Sequence, residues 1–177
     1  MHVCVISVNA LSINKRFHEL LNLACKYHPH VICVQETWLT SKMGSSLFTI
    51  SGYITLRQDR ADQSGYGGVL TYIRDDLTYQ RLDVNCGSDY EGIWVTLKTS
   101  TQKIVIANIY RPPSRNLSSF LENMELAIGS LRNFILVGDF NVNAKYSRRF
   151  GDFLARNSLK QWVNGPTFFK RNFTSAL

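Results

Sequence analysis

Four short apolar runs, each stopping on polar residues, constrain this chain more than anything else in it. Val3–Val8 is followed by Asn9, and Val31–Val34 by Gln35 and Glu36. Ile104–Ile109 is followed by Tyr110 and Arg111, and Phe134–Val137 by Gly138, Asp139, Phe140 and Asn141. Runs this short and this rich in Val and Ile read as strands buried on both faces. Between the first two lies a helical pattern over Ile13–Tyr27, with Ser12 as its N-cap, Ile13, Phe17, Leu20, Leu21 and Ala24 on one face, and Pro29 as its stop. Between the last two lies another, Leu117–Leu131, with Phe120, Leu121, Met124 and Ile128 on one side. The middle is strand-rich: Tyr53–Arg57, Val69–Arg74, Leu77–Val84, Ile93–Lys98 and Lys103–Tyr110. Ser147–Asn157 predicts a third, short helix. Helix-linked and hairpin-linked strands together specify an α/β protein with helices packed on sheets.

The chain has 177 residues, which fits one domain over 1–177. Its 45% hydrophobic and 19% charged residues exclude a disordered or fibrous class. No apolar run approaches the ~20 residues that cross a bilayer, so no membrane association is expected. Met1–Asn9 has no basic lead-in and reads as a strand rather than a secretory signal. The expected location is therefore intracellular, nucleus or cytoplasm, and not secreted. Cys4, Cys25, Cys33 and Cys86 form no C-x-x-C pair and read as small core residues in a reducing compartment. The glycine cluster Gly65–Gly68 precedes a strand rather than a helix, so it reads as a turn and not as a phosphate loop.

Charge is distributed unevenly. From Val142 to Leu177 there are seven basic residues, Lys145, Arg148, Arg149, Arg156, Lys160, Lys170 and Arg171, against the single acid Asp152. That segment carries +6 of the formal +7. It fits a polyanion partner, nucleic acid before membrane, as well as it fits a solvated surface.

The residues after the four runs carry the chemistry. Sites in α/β folds collect at the carboxyl ends of strands. If these strands share an edge, Asn9, Glu36, Tyr110, Asp139 and Asn141 meet in one pocket. Glu36 is typed as a ligand for a hard divalent cation such as Mg²⁺, which takes few carboxylates and keeps waters. Asp139 could orient or deprotonate a water. Asn9 and Asn141 can donate to phosphate oxygens or align carboxylates, and Tyr110 and Arg111 can meet developing charge. The sum is metal-assisted attack of water on a phosphodiester. Singly, each residue also has an ordinary structural explanation, as a turn, core or surface group.

The ordered set Asn9, Gln35-Glu36-Thr37, Tyr110-Arg111-Pro112-Pro113 and Gly138-Asp139-Phe140-Asn141 resembles the endonuclease/exonuclease/phosphatase superfamily. Within it, the chain is similar to the apurinic-endonuclease-like domain of non-LTR (LINE-type) retrotransposons. Arg57, Asp59-Arg60, Gly67-Gly68-Val69 and Pro166-Thr167 are supporting matches. The resemblance implies a four-layer α/β sandwich, two mixed, mostly antiparallel sheets face to face with helices outside. It implies Mg²⁺-dependent nicking of DNA, with Mn²⁺ as an alternative ion, and a covalently linked reverse transcriptase in a full-length element. Carried over by position, Glu36 is the metal ligand and Asn9 its neighbour. Tyr110 supports the phosphate, Asp139 positions or activates water, Asn141 helps hold the scissile phosphate, and Thr167 is the site threonine. Arg111, Lys145, Arg148, Arg149, Lys170 and Arg171 are the expected phosphate and DNA contacts.

The family pattern continues with an Asp and ends in an Asp/Ser-His pair. Here Ser175-Ala176-Leu177 matches the preceding step and is the end of the sequence. The expectation is a domain lacking its last strands and impaired in activity. Two alternatives stay open: a phosphatase of the same superfamily acting on a small phosphoester, and a non-catalytic nucleic-acid-binding remnant.

Overall fold

Alternation of side chains, period two along a strand, sorts the core into three layers. The computed structural model describes residues 2–62, 64–85, 87–143, 145–163 and 165. Its first sheet joins Val5–Asn9 (β1), Val31–Gln35 (β2), Tyr53–Gln58 (β3) and Val69–Arg74 (β4) in the order β1-β2-β4-β3. Its second joins Thr78–Leu82 (β5), Glu91–Lys98 (β6), Lys103–Tyr110 (β7) and Phe134–Asp139 (β8) in sequence order. Both sheets are mixed. Each has one parallel pair, β1 with β2 and β7 with β8, and the rest is antiparallel. Parallel pairs need a crossover. The helices Ile13–Tyr27 (α1) and Leu117–Ile128 (α2) supply it, one per sheet. Arg148–Arg156 (α3) packs beside α2.

Val31, Cys33, Val69 and Ile73 face Ile93, Val95, Leu97 and Ile106 between the sheets. The alternate residues face outward. Ile32, Val34, Leu70 and Tyr72 receive Ile13, Leu20 and Ala24 of α1. Trp94, Val105, Ala107 and Ile109 receive Phe120, Leu121, Met124 and Ile128 of α2, with Phe150 and Phe153 of α3. Each such Val, Leu, Ile, Phe or Met side chain contributes about 2 kcal/mol by leaving water. The four-layer sandwich expected from the sequence is therefore the observed fold.

Some local readings are corrected. Ser12 occupies the N-cap position of α1 but makes no side-chain cap bond. The turn after β2 takes over this role: Ser12 N–H donates to the Glu36 carbonyl at 2.9 Å and Ile13 N–H to that of Thr37 at 3.0 Å. The second helix ends at Ile128 instead of Leu131, turning at Gly129. The fifth strand is shorter than Leu77–Val84. Cys33 is buried as expected, whereas Cys4 and Cys25 are exposed, since Cys4 precedes β1 and Cys25 lies on the solvent side of α1. Cys86 and the expected strand or loop over Phe168–Leu177 lie outside the described residues. Among the described residues, no helix is long and apolar enough to cross a membrane.

The edge strands β1 and β8 of the two sheets lie next to each other, as do β2 and β7. The carboxyl ends of the four strands that end in polar residues thus converge at one end of the sandwich.

Candidate active site

Backbone strain is concentrated where these strands end. Five of the seven described non-glycine residues with positive φ lie here: Leu11 (45°), Ser12 (90°), Glu36 (52°), Trp38 (57°) and Asn141 (48°). Each such residue costs about 1–3 kcal/mol and persists only where its surroundings over-determine it. The restraints are visible. Ala10 N–H donates to the Gln35 carbonyl at 2.8 Å. Thr37 N–H reaches the Gly68 carbonyl at 3.2 Å, and Trp38 N–H that of Gly67 at 2.9 Å. Gly68 (φ 81°) is needed where it stands, because a Cβ there would meet the Thr37 Oγ1 at 2.6 Å.

An acid pair meets at this turn, Glu36 on it and Asp139 at the end of β8. The Asn9 side-chain nitrogen donates to Glu36 Oε1 at 2.9 Å and to Asp139 Oδ2 at 2.7 Å. Its orientation is settled by the other end of the amide, which accepts from Leu11 N–H at 3.1 Å. Glu36 Oε2 accepts from the Trp38 indole at 3.2 Å, and Asp139 Oδ1 from Asn141 N–H at 3.0 Å. Glu36 and Asp139 are half-buried, and Asn9 and Asn141 are exposed.

Tyr110 stands opposite Asp139 in the β7–β8 register. Burial pushes its phenol up to about 12, with the charge of Glu36 adding to the rise and Arg60 opposing it. Arg60 lies 5.8 Å above the ring and is paired to Glu91 at 2.6 Å, a carboxylate that also accepts from Gly68 N–H.

Arg111 is placed otherwise than expected. It is buried, and its guanidinium donates to the carbonyls of Phe140 and Asn141, both at 2.7 Å, and to those of Pro112 and Arg115. Asn141 returns the contact, its side-chain nitrogen donating to the Arg111 carbonyl at 2.9 Å. The expectation that Arg111 meets phosphate is thereby corrected. Its donors are spent clasping the loop after β7 to the loop after β8.

Beneath the acid pair, a polar tie joins the sheets. Asn108 is fully buried; its oxygen accepts from Gln35 Nε2 at 2.6 Å, and its nitrogen donates to the Leu70 carbonyl at 3.0 Å and Thr71 Oγ1 at 3.1 Å. Lys145, Arg148 and Arg149 are exposed. Arg149 reaches Ser118 Oγ at 3.0 Å, and Arg156 is paired with Glu125 at 2.8 Å. Thr167, Lys170 and Arg171 lie outside the described residues.

Residues 6–176 match the Endonuclease/Exonuclease/phosphatase family. The chain belongs to that family. Solved structures agree on the fold. The endonuclease domain of TRAS1, a telomere-specific non-LTR retrotransposon, superposes with a TM-score of 0.68 at 16% identity, over 88% of this chain and 71% of that one. The AP endonuclease LMAP from Leishmania major gives 0.63 at 20% identity, over 79% of this chain and 55% of that one. The 3′ phosphatase NExo from Neisseria, bound to product DNA hairpin, gives 0.60 at 15% identity, over 88% and 71%. The chain thus spans between about half and three quarters of these proteins.

Members of the endonuclease/exonuclease/phosphatase family typically use Mg²⁺. The donor set here fits such an ion. Among the described residues no group of three or more His, Cys, Asp and Glu converges. Mg²⁺, however, takes one or two carboxylates and keeps its waters. Glu36 and Asp139, two carboxylates held within reach of one amide nitrogen, meet that requirement.

Sequence reading passed over three members of this site. Trp38 carries a signal, an indole two residues beyond a strand-end carboxylate. Glu91 becomes visible only through the β6–β7 register, which sets it opposite Tyr110. Asn108 stands alone as an amide inside an apolar run, and that was its signal.

Proposed function

We propose that this family member is a divalent-cation-dependent DNA endonuclease. The observation that carries the reading is the Asn9 bridge between Glu36 and Asp139 at the meeting edge of the two sheets. Glu36 would hold the cation, which when bound would neutralise phosphate charge and polarise the scissile group. Asp139 is held by Asn9 and Asn141 N–H on its two oxygens and orients the attacking water, accepting its proton. Tyr110 stays a neutral phenol across the working pH range and donates to a phosphoryl oxygen. Asn9 and the Arg111–Asn141 clasp fix the distances among these groups. The DNA-bound Neisseria relative and the retrotransposon and AP endonuclease relatives support DNA as substrate class. So does the basic surface at Lys145, Arg148 and Arg149, which suits phosphates flanking the cut. Nicking of target DNA for a retrotransposon with a linked reverse transcriptase is the finer form of this proposal.

The test is conversion of supercoiled plasmid to open circle, with protein in excess, in Mg²⁺ or Mn²⁺. Nicking is expected to require the cation and to be lost in Glu36→Gln and in Asp139→Asn. Turnover of a soluble phosphomonoester without nicking would move the assignment to a phosphatase. Salt-sensitive DNA binding without cleavage, unchanged by either variant, would leave only a binding module.

A further inference from the structure

From the indole contact we infer that Trp38 is the positioning residue of the cation site, holding the Glu36 carboxylate in its ligating orientation. The inference rests on the cation-site reading above and adds to it a residue that acts through Glu36. Glu36 lies on a strained turn, and its two oxygens have separate donors. Oε1 takes Asn9 Nδ2 at 2.9 Å, and Oε2 takes the Trp38 indole N–H at 3.2 Å. An indole nitrogen only donates. It therefore takes up one lone pair of Oε2 and leaves the remaining ones for an ion. A second donor is what stops the side chain from rotating about its terminal bond when Asn9 is shared with Asp139.

Trp38 is itself fixed on three sides. Its backbone is in the left-handed region at φ 57°, a conformation that a bulky side chain adopts only under restraint. Its N–H donates to the Gly67 carbonyl at 2.9 Å. Its ring meets Tyr66 edge-on, with centroids 5.2 Å apart and planes at 70°. Tyr66 thus holds the indole ring and Gly67 the backbone beneath it, and the indole holds the carboxylate. Partners that orient a metal ligand in this way typically contribute about 10–100-fold in metal affinity or activity.

The test uses the 177-residue chain without DNA and reads Mn²⁺ binding by the electron paramagnetic resonance of the free ion. The wild type is expected to bind Mn²⁺ through Glu36, so that Glu36→Gln abolishes it. Trp38→Phe, which keeps a ring and loses the donor, should bind about tenfold more weakly. Trp38→His, which keeps a ring N–H, should recover most of the loss. Mg²⁺ should also change the indole emission of the wild type and not that of Trp38→Phe, where Trp94 and Trp162 remain. Equal Mn²⁺ affinity in wild type and Trp38→Phe overturns the inference while leaving Glu36 as ligand. So does a Trp38→His chain as weak as Trp38→Phe. Wild-type chain that binds no Mn²⁺ through Glu36 overturns the cation site together with it. Should Trp38→Phe fail to fold, the wild-type emission decides: no Glu36-dependent change on adding Mg²⁺ overturns the inference.

Discussion

Asn9 donates to Asp139 at 2.7 Å across 130 positions of sequence, joining the last residue of β1 to the last residue of β8. The same nitrogen serves Glu36, so one neutral amide stands between two carboxylates that would otherwise repel each other. Because Asn9 is exposed, its contribution to stability is small and its contribution to geometry is large. Asn9→Ala should lower nicking about 10–100-fold and move the melting temperature by less than about 2 °C. Plasmid nicking and a thermal melt on the same preparation check this. A melt lowered in proportion to the activity loss would make Asn9 a stability residue instead.

Gly138 marks how tightly β8 is fitted to β7. It sits opposite Ile109 in the parallel register with φ 141°, and a Cβ there would run into the Ile109 carbonyl. Neither backbone can retreat without breaking the ladder that places Asp139. Gly138→Ala should therefore destabilise by about 3 kcal/mol or more, a melting shift of roughly 10 °C for a chain of this size. Gly151 is the internal control. It lies inside α3 with open space around it, so Gly151→Ala should be neutral or stabilising by about 0.5–1 kcal/mol. Similar effects at both positions would contradict the packing argument.

What the sequence disclosed and what it hid follow from the range of the interactions involved. Val31–Val34 was legible as a strand because burial on both faces removes every polar residue, and Phe134–Val137, half-buried at its sheet edge, because both of its faces still pack on apolar neighbours. The polar residues that follow were legible as a candidate site because they come in succession where buried runs end. The role of Arg111 was not legible. Residue type alone does not separate a guanidinium facing phosphate from one facing four carbonyls, and only the meeting of the β7 and β8 loops decides it. Glu91 and Arg60 are 31 positions apart, so their pairing does not show in local spacing; Asn108 shows as a lone amide in an apolar run, but its partners on the opposite sheet do not. Ser12 takes the N-cap position its sequence suggests but without a side-chain bond, because the first N–H groups of the helix are satisfied by the carbonyls of Glu36 and Thr37, a contact between elements rather than within one.

At the far end of the sandwich, His30 makes stability depend on pH. Its Nδ1 accepts from Cys4 N–H at 3.0 Å, which requires the neutral ring. Burial, and then the charge of Arg74, lower its pKa from the ordinary 6.5, with Asp76 opposing. A depressed histidine pKa means that the folded state prefers the neutral form. Its stabilising contribution is complete above 6.5 and is lost as the pH falls through the lowered folded value. Melting temperature should fall between pH 7 and pH 5. It should fall less in His30→Asn, whose amide oxygen can still accept from Cys4. Melts of both proteins across that range check this, and identical pH slopes would remove His30 as the cause.

Among the described residues of the basic segment, Arg156 is held in an ion pair, whereas Arg149 makes only a hydroxyl contact, to Ser118, and stays exposed. Lys145, Arg148 and Arg149 are exposed just beyond the loop that carries Asn141, whereas Arg156 pairs with Glu125 on the α2–α3 contact. Each phosphate neutralised adds about 0.9 to the slope of log affinity against log salt. Replacing Lys145, Arg148 and Arg149 together by Ala should therefore reduce that slope by roughly 2–3. Arg156→Ala should leave the slope nearly unchanged and cost little stability, since solvent screens the pair. DNA binding measured by fluorescence anisotropy at several salt concentrations separates the two. A triple variant with the wild-type slope would mean that DNA approaches from another face, and an Arg156→Ala chain with a reduced slope would place the path across α2 and α3 instead.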